Sequence, residues 1–315
     1  MEKKNTETRR ILETVIPILL LVLIIGVGHT AFKLDENTRG IRLETEQNEK
    51  LIAENEAELN KQTEKRNELA DQLEQIENYN ETLAHYHDRF FELAGELENK
   101  ILNDESELKI AYLTFDDGPY KMSNKFYDVL DEYDVQATFF CLKKCAEFGY
   151  DYDEIYDAAY RRILASGHTL GNHTASHKLG KNGIYSSVER FMDEIKENRE
   201  FIEDRYGYTT EVMRFPGGTG TAGNKYYSII EELRDIHYAW VDWNSATGDG
   251  GARILSANEY RDNVLNNTNG KKLLVVLMHD YSDNTLIALP EIIEGLSDQG
   301  YVFLPLFYES QAVNR

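Results

Sequence analysis

Apolar positions follow three different rhythms along this chain. From Thr14 to Phe32, nineteen residues run without Lys, Arg, Asp or Glu, centred on IPILLLVLIIGVG. As a helix this segment reaches about 28 Å, close to the ~30 Å of a bilayer core. Lys3, Lys4, Arg9 and Arg10 precede it, so the pattern predicts a signal-anchor helix with a cytoplasmic N-terminus. A cleaved signal peptide is the competing reading, because Gly26 and Gly28 form a small-x-small site. No cysteine follows the run, which excludes a lipoprotein anchor.

Residues 33–109 change to a helical rhythm dominated by Glu, Lys, Leu, Gln and Asn, with no proline. Leu69, Ile76, Leu83, Phe90 and Leu97 repeat at one heptad position, and Tyr79, Tyr86 and Leu93 at the other. This seam predicts a coiled-coil stalk and, with it, a homo-oligomer; a solvated single helix is the alternative. Upstream the register breaks at Asn48 and Arg66. His85 and His87 are two apart on this helix and share no face, so they read as surface residues.

From residue 110 to 315 the apolar runs shorten and alternate with helical patterns. IAYLTF, ATFFCL, LLVVLM and YVFLPL predict strands; SNKFYDVLDEY, DEIYDAAYRRILASG, SSVERFMDEIKENREFIEDRYG, NKYYSIIEELRD and LPEIIEGLSDQG predict helices. Strands alternating with helices imply an α/β domain around a parallel sheet. Its length suits a barrel as well as an open sheet. No P-loop is present to indicate a nucleotide.

Composition alters this picture in two places. Acidic residues outnumber basic ones 56 to 34, a net charge of −22, which argues against nucleic acid as a partner. Half of that charge, 21 acidic against 10 basic residues, lies in residues 33–109. The two cysteines, Cys141 and Cys145, exclude a disulfide framework and a Cys₄ zinc module. Whether they pair across a very short loop outside the membrane is left open.

Candidate chemistry collects at the strand ends. AYLTF runs into Asp116-Asp117-Gly118-Pro119. Adjacent carboxylates at the C-terminal end of a parallel strand lie where α/β active sites form. They point in different directions, so one is able to hold a metal while the other faces a water; a plain turn is the alternative. His173 and His177 are four apart, which puts both imidazoles on one face of a helical turn. With one carboxylate they form a two-His, one-carboxylate set with open positions, as hydrolytic metal centres have. His168 reads as structural. Arg214 precedes a Phe-Pro-Gly-Gly turn, where it is able to orient a carboxylate, and strand LLVVLM ends in His279, placed for proton transfer.

Taken in order, TFDDGP, NHTASH, RFPGG, WNSATGD and LMH resemble the five-motif set of the polysaccharide deacetylases, carbohydrate esterase family 4. The resemblance covers nearly all of residues 110–310. It implies a distorted (β/α) barrel of about seven units that removes acetyl groups from sugars with one divalent metal ion, commonly zinc, with Co²⁺, Mn²⁺ or Ni²⁺ as alternatives. Carried over residue by residue, it implies that Asp117, His173 and His177 hold the metal. Asp116 would be the general base toward the attacking water, with Arg214 aiming it. The metal and the Gly217 N–H would stabilise the oxyanion. His279 would protonate the leaving amine, Asp249 would hold His279 cationic, and Leu277 would line the acetyl methyl pocket.

Two departures from the family pattern remove aromatic walls. Many members carry tyrosine where this chain has Gly217, and tryptophan where Asp249 is followed by Gly250. Trp243 and Trp240 are the two candidates to stand in. The combined expectation is a membrane-tethered, metal-dependent deacetylase of cell-wall glycan: anchor 1–32, stalk 33–109, catalytic domain 110–315 outside the membrane. The alternatives are an acetyl-xylan or exopolysaccharide deacetylase, or a catalytically weak surface protein acting through its stalk.

Overall fold

The computed structural model describes residues 55, 58–67, 70, 89–143 and 154–314. The chain divides into two compact units, Met1–His87 and Asp88–Arg315. In the first, residues 58–67 are helical and mostly exposed. The anchor segment, the stalk's seam up to residue 88, and Cys145 lie outside the described residues. Among those described, no helix is long and apolar enough to cross a membrane.

The second unit opens with helix α1 over residues 89–102, followed by strand β1, Lys109–Asp116. Alternating units follow: α2 Ser123–Glu132, β2 Thr138–Cys141, α3 Glu154–Ala165, β3 Thr169–Asn172, α4 Val188–Tyr206 and β4 Val212–Met213. Next come α5 Tyr226–Asp235, β5 Ala239–Trp240, β6 Ser245–Ala246, α6 Ala257–Leu265, β7 Leu273–His279, α7 Asp283–Asp298 and β8 Tyr301–Phe303. Helix boundaries follow local chemistry. Ser187 caps α4 by accepting from the Arg190 N–H at 3.1 Å, and Gly207, at φ 62°, ends it in the left-handed region.

All strands of the sheet run parallel in the order β5-β4-β3-β2-β1-β7-β6, and β8 pairs with the lower part of β1. The two edge strands, β5 and β6, are joined by residues 241–244 alone. So short a link reaches at most about 18 Å, so the sheet curls until its edges approach. The result is the distorted parallel barrel expected from the sequence, open at one seam.

Strand alternation then separates two cores. Ala111, Leu113 and Phe115 of β1, with Leu274, Val276 and Met278 of β7, pack outward in one cluster with residues of α2, α3, α6 and α7. Ile110, Tyr112, Phe140, Val212, Ala239 and Val275 form the inward cluster. The same inward rows continue upward to Thr114 and Asp116, to Arg214, and to Leu277 and His279. Polar residues thus replace apolar ones at the strands' C-terminal ends.

The compact unit that holds the barrel begins ahead of residue 110. Ala94 and Ile101 of α1 are buried in the inward cluster, and Phe91 and Leu97 pack on it. Glu98, fully buried, accepts hydrogen bonds from the Tyr112 hydroxyl at 2.6 Å and from the Gln311 N–H. Residues 89–109, read from their heptads as the end of the stalk, therefore belong with the barrel. Leu97 meets the barrel's own core there, while Phe90 and Leu93 stay exposed.

Candidate active site

Asp116 closes β1, and its register partner on β7 is His279, so these two groups stand side by side on neighbouring strands. Arg214 follows β4 and crosses to β1. Its Nη1 donates to Asp116 Oδ1 at 2.9 Å and to Thr114 Oγ1 at 2.7 Å, and its Nε to the Val241 carbonyl at 3.2 Å. The guanidinium is fully buried, with Phe140 4.4 Å and Trp243 5.7 Å from it to the ring centroids. A buried charge is tolerable only with such a full set of partners.

Asp117 takes φ 70°, which turns its side chain away from that of Asp116. Its Oδ1 lies 3.3 Å from Nε2 of His173 and 3.3 Å from Nε2 of His177. The two histidines are not on a helical turn, as their spacing predicts. They flank a loop after β3 in which Thr174 and His177 take φ 71° and 52°. The Thr174 hydroxyl accepts from the His177 N–H at 3.1 Å and holds that loop.

The donor set fits a divalent cation. His173 Nδ1 lies 2.8 Å from the Arg214 carbonyl, which only accepts, so Nδ1 carries the proton and Nε2 offers its lone pair toward Asp117. Asp117 Oδ1 is buried with no hydrogen-bond partner among the described residues. Lone pairs converging on an orphaned carboxylate oxygen repel one another unless a cation sits among them. One ligand atom from each of Asp117, His173 and His177 lies within 4.8 Å of the others. Ligand atoms about 2.0–2.1 Å from a tetrahedral ion stand roughly 3.3–3.4 Å apart, which matches both pairs. Burial works against the charge of Asp117; with no cation among the ligand atoms, protonated imidazoles of His173, His177 and His279 would take its place and hold the carboxyl well below the ordinary carboxylate value.

On the other side, His279 directs Nε2 at Asp117 Oδ2 from 3.8 Å. Its Nδ1 lies 2.8 Å from Asp249 Oδ1, and its backbone N–H donates to Asp249 Oδ2 at 2.9 Å. The Thr285 hydroxyl donates to the same Oδ2 at 2.7 Å. Burial pulls the His279 pKa down, but the hydrogen bond and charge of Asp249, with Asp116 and Asp117 nearby, push it up to about 9. The imidazole is therefore cationic at neutral pH, as an acid requires.

Gly217 lies three residues beyond Arg214 at φ 75°, in a loop braced from three sides. Tyr185 donates to the Pro216 carbonyl at 2.9 Å, Thr221 to the Gly217 carbonyl at 2.8 Å, and the Thr219 N–H to Asp242 at 3.0 Å. Leu277 is half-buried on β7, one inward position below His279. Of the two tryptophans, Trp240 is buried, whereas Trp243 is half-buried against Arg214 and Gly218. Sequence reasoning misses Thr114, Thr285 and Asp242. Thr114 is signalled by strand alternation, two positions before Asp116; the other two lack any local signal.

A model of the polysaccharide deacetylase family matches residues 103–234. A peptidoglycan-N-acetylglucosamine deacetylase of Bacillus cereus is 32% identical over 211 residues, 65% of this chain and 71% of that protein. The catalytic domain of a peptidoglycan N-acetylglucosamine deacetylase from Eubacterium rectale superposes with a TM-score of 0.58 at 31% identity, over 65% of this chain and 91% of that one. A polysaccharide deacetylase from Bacillus cereus gives 0.56 at 28% identity, over 64% of this chain and 94% of that one. Motif order, barrel and paired histidines thus agree with sequence likeness, and the chain belongs to the polysaccharide deacetylase family, hydrolases of linear amides rather than peptide bonds.

Proposed function

We propose that this chain removes N-acetyl groups from N-acetylglucosamine units of peptidoglycan, using a zinc-class divalent ion. The observation that carries this reading is the pair of groups beside the metal set: Asp116, held by Arg214, and His279, held by Asp249. When bound, the ion polarises the acetyl carbonyl and lowers the pKa of water. Asp116 takes the proton of the attacking water. Its Oδ1 is tied to Arg214, and its Oδ2 faces the metal set 3.7 Å from His173 Nε2. His279 gives its Nε2 proton to the departing nitrogen while Asp249 holds Nδ1. The Gly217 N–H is the second donor to the developing oxyanion.

An acid that stays protonated to about pH 9 favours amide over ester cleavage. An amine leaves only when protonated, whereas a sugar hydroxyl leaves more easily. The two named relatives reported above act on peptidoglycan N-acetylglucosamine, which supports the same substrate here. We further read residues 14–32 as a membrane anchor and the acidic stretch up to residue 87 as a self-associating stalk, with the enzyme outside the membrane. The protein is then expected to stay in the membrane fraction after an alkaline carbonate wash, and a mature N-terminus near His29 overturns the anchor.

The substrate test incubates the purified full chain with peptidoglycan, chito-oligosaccharides and acetylated xylan, measuring acetate and new primary amine together. Equal acetate and amine from the N-acetylated polymers is the expected result. Acetate from xylan, with no amine from the other two, moves the protein to the esterase reading.

A further inference from the structure

The chain lacks side chains at both positions where many relatives place aromatic walls, Gly217 and Gly250. At Gly250 the reason is steric. A Cβ built there lies 2.7 Å from His279 Cε1 and 3.4 Å from both ring nitrogens. In this backbone the acid occupies the space into which a side chain at 250 would project.

An aromatic group from a different element covers that side of the site. Tyr281 follows His279 by two residues, with ring centroids 5.1 Å apart at 34°. Its hydroxyl donates to the Asp249 carbonyl at 3.2 Å, the residue just before Gly250. Tyr120, just past the Asp116-Asp117-Gly118-Pro119 turn, meets the Tyr281 ring edge-on at 5.2 Å and 78°. The ring is thus held at its hydroxyl, at one edge and against an imidazole, yet 38% of Tyr281 remains exposed. An aromatic ring fixed on several sides and still partly open to solvent beside an acid is preorganised for a ligand, since little motion is lost on contact.

We propose that Tyr281, braced by Tyr120, is the platform on which a sugar ring of the glycan stacks beside His279. The inference rests on the glycan-deacetylase reading above. The C–H face of a pyranose ring is weakly positive and apolar, which suits the negative face of a tyrosine ring. Trp243 packs against Arg214 and Gly218, next to the group that holds Asp116 rather than next to His279. The platform recognises a run of sugars rather than the acetyl group, and its signature is dependence on chain length.

The test uses the full chain, metal-loaded, with chitobiose and chitopentaose as substrates. Tyr281→Ala is expected to raise KM for the pentamer about tenfold, a loss of roughly 1.4 kcal/mol. Its kcat is expected to fall by less than about threefold, so most of the gain from a longer chain disappears. Tyr281→Phe keeps the ring and loses one hydrogen bond, so its KM stays within about threefold of the parent. Tyr281→Leu keeps an apolar side chain without a π face, and it must show the KM rise of the alanine variant even if that variant folds poorly. A fall in kcat with a displaced basic limb and an unmoved KM makes Tyr281 a positioning residue for His279 and overturns the platform. Unmoved KM in both the Ala and Leu variants overturns it as well, while leaving the deacetylase reading intact. No amine from any N-acetylated glycan by the parent protein overturns both.

Discussion

Asp249 sets the charge of His279, and this makes the pH profile a direct report on one hydrogen bond. A general acid works only while protonated, so the rate is expected to fall as pH rises through about 9. Asp249→Asn removes the charge that holds the proton, and the basic limb is expected to move about two pH units toward acid, toward the ordinary histidine value. A pH series of kcat checks this, and an unmoved limb reassigns the acid. Asp116→Asn keeps the metal ligands and is expected to lower kcat by roughly 10²–10⁴ with metal content intact. At this scale the sequence is informative where chemistry is local: the adjacent Asp116 and Asp117, and His173 four residues from His177. It is silent on what the fold imports. Arg214 reaches Asp116 across 98 residues, and Thr285 reaches Asp249 across 36. The histidine spacing also suggests a helical turn, whereas left-handed Thr174 and His177 bring the rings together by another path.

Among the elements, α1 carries the clearest consequence. A chain beginning at residue 110 strips α1 from the inward cluster and leaves Ile110, Tyr112 and Phe307 facing water. Such a truncation is expected to be poorly soluble or to melt well below one beginning at residue 88. A milder test is Glu98→Ala, which takes the carboxylate acceptor from the Tyr112 hydroxyl and the Gln311 N–H. About 1–3 kcal/mol per buried unsatisfied group is the expected loss, read from the denaturant midpoint. Over residues 89–102 the heptads read correctly as helix but say nothing of what the helix packs on, because docking on a partner helix and on a barrel share one period. Strands β1 and β7 are legible as long apolar runs. Strands β4, β5 and β6 are two residues each, too short to show any alternation, and they exist because neighbouring strands pair with them.

For the molecule as a whole, the proposed metal set would also be a stability device. An ion bound by the native state alone raises stability with its concentration, by about 2.7 kcal/mol at a hundredfold excess over Kd. Chelated protein is therefore expected to melt at a lower temperature and to recover its Tm and its activity together when zinc is restored. His177→Ala is expected to abolish the zinc-dependent shift, and a full shift in that variant removes His177 from the ligand set. Arg214 gives the barrel a different kind of tie. It runs from the loop after β4 to Thr114 and Asp116 on β1, and to the Val241 carbonyl in the seam between the two edge strands. It is a spoke across an unclosed ring, and the same guanidinium holds Asp116, the proposed base. Selection acting on this position therefore cannot separate foldedness from turnover. In a saturation library at residue 214, soluble yield and rate are expected to decline in step, whereas at His279, on the rim of the ring, well-folded inactive variants should be common. An evolutionary drift toward a pseudoenzyme would accordingly begin at the rim, with the spoke the last part to go.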